Sequence, residues 1–130
     1  MELSINHQLL AMRPIIPQAT INDQTSANEI FQNQTLRPII KLLNTTILSS
    51  IKNQLRQFNS QFGQLTREKK IDTLRTFIEK NQSIRHFLCG MVVGQMTTEE
   101  LLTYLESTSG LNKRILQMIA QRAIDHLDFF

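Results

Sequence analysis

Leu36, Ile40, Leu43, Ile47, Ile51, Leu55 and Phe58 follow one another at intervals of 4, 3, 4, 4, 4 and 3 residues. A helix advances about 100° per residue, so this spacing lays all seven on one stripe. A strand, alternating every second residue, would scatter them over both faces. A helix with such a stripe must bury it, and helix against helix is the simplest way. Leu48 widens the stripe on one side and Ile39 on the other, while Leu42 lies nearly opposite. A helix apolar on two sides is either central to a bundle or shared with a second chain. Pro38 interrupts the pattern, because its ring removes a donor and disfavours helical backbone at Arg37. Either a short helix ends near Leu36 or one long helix kinks there.

The rest of the chain repeats the helical period. Thr66 precedes Arg67-Glu68-Lys69 as a capping residue, and Ile71, Leu74, Phe77 and Ile78 form the face of a helix that fades near Asn81. Ser83 can cap the next one, with Ile84, Phe87, Leu88, Met91 and Val92 inward and Cys89 and Val93 widening the face. Gly90 and Gly94 are four apart and lack side chains, so close helix packing is expected there. Thr97-Thr98-Glu99-Glu100 is a capping box, with Met96 stapled onto Leu101. Ser107 to Gly110 ends that helix, and a last one runs from about Leu111 to Leu127.

No alternating strand pattern appears, so the expected fold is all-α, a single-domain bundle of four or five helices over residues 28–130. Residues 1–27 read as a flexible or docking tail. Pro14 and Pro17 bracket Ile15 and Ile16, and the stretch over 18–28 is mostly polar. Yet Ile5, Leu9, Leu10, Met12, Ile15 and Ile16 are too many apolar residues for a pure spacer.

Chemistry-bearing patterns are sparse. One cysteine, Cys89, excludes an internal disulfide, and its apolar surroundings read as a small buried hydrophobe. His7, His86 and His126 have no metal-ligand spacing, and the four glycines form no phosphate-cradling loop. No catalytic residue, cofactor or metal is expected. The longest apolar run is far short of a bilayer's thickness, and no basic, apolar leader opens the chain, so no membrane partner and a cytoplasmic location are expected.

Net charge is +3, from 14 Lys and Arg against 11 Asp and Glu. On a continuous helix Arg37, Lys41, Lys52 and Arg56 would fall within about 100° of one another. No aromatic residues are interleaved among them, so nucleic acid is not the expected partner; a nucleic-acid-binding bundle is the lesser alternative.

Three stretches carry a resemblance: Phe31-Gln32-Asn33-Gln34-Thr35-Leu36-Arg37-Pro38-Ile39-Ile40-Lys41, Phe87-Leu88-Cys89-Gly90-Met91-Val92-Val93-Gly94-Gln95-Met96-Thr97 and Leu111-Asn112-Lys113-Arg114-Ile115. Over roughly residues 29–122 the chain resembles a family of short, uncharacterised, all-helical bacterial proteins often labelled "glyoxalase". The resemblance implies a shared helical fold, and the label implies a small glyoxalase-type enzyme as an alternative reading. It brings no active-site residue with it: the chain holds neither a Thr-His-x-His-x-Asp-His metal motif nor a cysteine on a strand-to-helix elbow.

The expected function is therefore protein–protein interaction or regulation, with the protein partner being a second copy in a homo-oligomer, a dimer, or another protein. The expected surface is Arg37, Ile39, Lys41, Leu42, Lys52 and Arg56.

Overall fold

The long apolar stripe does become helix, but not as one rod. The computed structural model describes residues 4–16 and 26–130. Among them are seven helices and no strand, so the chain is all-α with more helices than four or five. Helix α1 spans Ile5–Ala11. Helix α2 runs unbroken over 27–42, as Ala27–Phe31, a wider π turn at Gln32–Leu36, and Arg37–Leu42. Then come α3 (Asn44–Phe58), α4 (Arg67–Lys80), α5 (Gln82–Val93), α6 (Thr98–Leu105) and α7 (Thr108–Asp125).

Pro38 neither ends α2 nor divides it. Just before it, the Arg37 N–H donates to the Gln32 carbonyl, five residues back instead of four. That wider turn gives the proline ring room where a regular helix would press it against the carbonyl four residues earlier. The real corner is Leu43, at φ −90° and ψ 8°. Its N–H donates to the Ile39 carbonyl and its own carbonyl accepts from Ile47, so the backbone turns without stranding a polar group. Arg122 of α7 braces the corner by donating to Asn44 Oδ1 at 3.0 Å.

Helix α7 is the central rod. It packs most extensively on α4 and also touches α2, α5 and α6. The core draws Leu36, Ile39 and Ile40 from α2, Ile47, Ile51 and Leu55 from α3, and Leu74 and Ile78 from α4. Ile84, Leu88 and Val92 of α5 and Leu111, Ile115 and Ile119 of α7 complete it, every one 2% exposed or less. Each such side chain contributes roughly 1.5–3 kcal/mol by leaving water.

Thr66 and Thr97 cap α4 and α6 as the sequence suggests, and Glu100 closes the capping box by accepting from the Thr97 N–H. Other details differ. Asn81, not Ser83, caps α5, its Oδ1 accepting from Ile84 N–H at 3.1 Å. Helix α7 begins at Thr108, inside the stretch expected to be a break. Phe58 and Phe87 are 61% and 47% exposed instead of inward. Phe58 lies at the last turn of α3 and covers the Phe77 ring from outside, centroids 4.9 Å apart.

Gly90 and Gly94 do not mediate close helix packing. A Cβ at Gly90 would meet nothing within 4 Å, and one at Gly94 would meet the carbonyls of Gly90 and Met91 in the same helix. The physical reason is phase: Gly90 stands about 200° from Leu88, on the exposed side of α5.

In the N-terminal segment, α1 forms ahead of the prolines, so neither ring obstructs it. Ser4 caps it, its Oγ accepting from His7 N–H at 3.2 Å. The polar connector expected over 18–28 falls mostly on residues 17–25, outside the described residues.

Candidate functional site

Among the described residues, the most closely tied polar group joins α1's end to α6's start. Ser4 sets the direction of α1, and its phase points Asn6, Leu9 and Arg13 toward the bundle. Arg13 grips Glu100 as a two-pronged fork, Nη1 to Oε2 at 2.7 Å and Nη2 to Oε1 at 2.6 Å. Its Nη2 also donates to the Gln95 carbonyl at 2.9 Å. Thr35, carried into place by the π turn of α2, donates to Glu100 Oε2 at 3.0 Å.

One carboxylate thus ties together α1, α2 and α6. Burial alone would raise the Glu100 carboxyl's pKa. The Arg13 hydrogen bonds, the Thr97 backbone N–H, the Arg13 charge and the Thr35 hydroxyl outweigh it and hold the group below its ordinary 4.5. The side chains are only 8% and 16% exposed for Arg13 and Glu100. A charge-assisted fork so shielded from water is stronger than a surface pair.

Asn6 Oδ1 makes a second tether by accepting from the Thr98 N–H at 3.0 Å. Leu102 and Leu105 sit one and two turns beyond Thr98 on the same side of α6, and they are 60% and 57% exposed. On α1 and just past it, Ile5, Leu10, Met12 and Ile15 are also largely exposed. The tethers therefore hold two groups of uncovered apolar side chains on neighbouring elements. Helix α1, Ile5 to Ala11, has no acidic residue in its first turn and no basic residue in its last.

The surface expected from sequence divides. Ile39 is 0% exposed and belongs to the core, because the corner at Leu43 turns its side of α2 inward. Leu42 is half-buried, and Arg37, Lys41 and Arg56 are exposed. Arg37 and Lys41 lie on α2 while Lys52 and Arg56 lie on α3, so the four cations share no single helix face. Lys52 instead covers the Phe129 ring, its Nζ 4.9 Å from the centroid.

Among the described residues no group of three or more His, Cys, Asp or Glu side chains could hold a metal ion. His86 and His126 are exposed, and His126 Nδ1 lies 2.8 Å from the Arg122 carbonyl. Cys89 is buried, and burial pushes its thiol up to about 11 against a smaller opposing effect of Arg85. Near pH 8 the native thiol should therefore alkylate roughly 100-fold more slowly than in denaturant, since only the thiolate reacts. Adduct mass followed over time with and without urea measures this; equal rates would mean an exposed, reactive thiol.

No family model, curated protein or solved structure matches this chain. Among the described residues no helix is long and apolar enough to cross a membrane.

Proposed function

We propose that this protein is a helical interaction module that pairs with a second copy of itself through the face built by α1 and α6. The observation that carries this reading is the exposure of Leu102 and Leu105 beside the apolar residues of the tethered N-terminal segment. Uncovered apolar surface of this kind is costly in water and marks contact sites. A two-fold pairing places each patch on its own copy, so like charges at its centre would repel. Thr98, Leu102 and Leu105 are uncharged and α1 contains no Asp, Glu, Lys or Arg, which supports a self-match over an oppositely charged partner.

Sedimentation velocity at tens of micromolar tests the reading. The wild type is expected to sediment as a dimer. The double variant Leu102→Glu, Leu105→Glu should sediment as a monomer with unchanged helical circular dichroism, because both side chains point to solvent. A wild type that stays monomeric at high micromolar concentration, or a charged variant that still dimerises, overturns it.

A further inference from the structure

Away from the α1–α6 face, a cleft of 340 Å³ opens where the end of α4, the first turns of α5 and the start of α7 meet. Lys80 enters it from α4, Arg85 from α5 and Lys113 from α7, and Glu79 supplies the one carboxylate in the lining. Among the described residues none of the three cations makes an ion pair, the single such pair being Arg13–Glu100. Lys80 and Lys113 are exposed, and Arg85 is the partly buried one of the three.

We infer that this cleft binds the phosphate group of a small phosphorylated molecule. Three cations gathered from three helices against one carboxylate favour an anion. The guanidinium of Arg85 has the fork geometry that matches phosphate oxygens, and Lys80 and Lys113 add point charges. The opening turn of α7 also borders the cleft. Ser109 lies there, and the cap residue Ser107 makes no side-chain hydrogen bond to the first amides, whose N–H groups have no acceptor within the helix. The buried Leu116 also lines the cleft, so the ligand meets an apolar side chain as well as the charges. The volume falls in the range of small-molecule sites and is too small for a strand of nucleic acid or a folded partner.

The test is a titration of the full chain, followed by amide NMR shifts, with inorganic phosphate, with glycerol phosphate and with an RNA oligonucleotide, at fixed ionic strength. Saturable shifts confined to Arg85, Ser109, Gly110 and Lys113 are expected, with glycerol phosphate binding more tightly than phosphate alone. Arg85→Gln should weaken binding by about tenfold or more, the loss of a charge-assisted contact. Lys113→Ala, at an exposed position that leaves the fold intact, should weaken it several-fold, and Glu79→Gln should tighten it. Several results overturn the site: no saturable shift, shifts scattered over the surface, an affinity indifferent to both Arg85→Gln and Lys113→Ala, or RNA binding more tightly than either small anion at these same amides.

Discussion

Glu100→Ala is expected to lower stability by about 3 kcal/mol and the melting temperature by roughly 10 °C. The reason is the number of partners that one carboxylate serves. Its removal leaves the Arg13 guanidinium with only the Gln95 carbonyl, leaves the Thr35 hydroxyl without its acceptor and opens the capping box at α6. Arg13→Ala should cost about half as much, since Glu100 then still caps α6 and still accepts from Thr35.

The same carboxylate gives a pH signature. Its native pKa is lowered, so its stabilisation is complete above the unfolded value of 4.5 and is lost as pH falls through the lower native one. Glu100→Gln should therefore flatten the acid limb of the stability curve while lowering the plateau. Chemical denaturation across pH 3 to 7 reads both effects. An acid limb as steep in Glu100→Gln as in the wild type would mean that other carboxylates set it.

Ile119→Ala is expected to cost about 4 kcal/mol, close to the whole margin of a weakly stable domain. Ile119 is 0% exposed on α7, the rod against which α4 packs most extensively. The shortened side chain leaves a cavity that rigid helices on several sides can only partly close. Ile119→Val should cost about 1 kcal/mol, and Leu105→Ala, on the exposed face, no more than about 0.5 kcal/mol. Urea midpoints at constant slope measure all three. A small loss at Ile119 would show that the packing around α7 is loose.

These expectations differ in how much of their basis is legible in the residues themselves. Local spacing suffices for α4 and α6, because Thr66 and Thr97 cap in their own neighbourhoods, and for the bodies of α5 and α7, though not for where those two begin. It fails at Leu43. The stripe continues through that residue without a missed beat, so a corner there has no local signature. Ile39 then looks like surplus surface when it is core. Helix α1 does have a local signal, Ser4 ahead of Ile5 and Leu9, but Pro14 and Pro17 dominate a reading of that segment. The Arg13–Glu100 fork has none at all. Its partners are 87 positions apart, and Glu100 already has a sufficient local role in its capping box. The charged lining of the cleft is hidden in the same way, since Lys80, Arg85 and Lys113 converge only once α4, α5 and α7 have packed.

The π turn of α2 holds one residue more than an ordinary helical turn needs. Such a surplus can be lost without rotating what lies on either side, so Phe31 before it and Ile39 and Ile40 after it could all keep their inward aim in a chain one residue shorter. Pro38 is what ties the present chain to the longer version, because its ring needs the wider loop of backbone. Shortening α2 is thus a two-step change, with the proline replaced first, and Thr35 would lose its reach to Glu100 in the second.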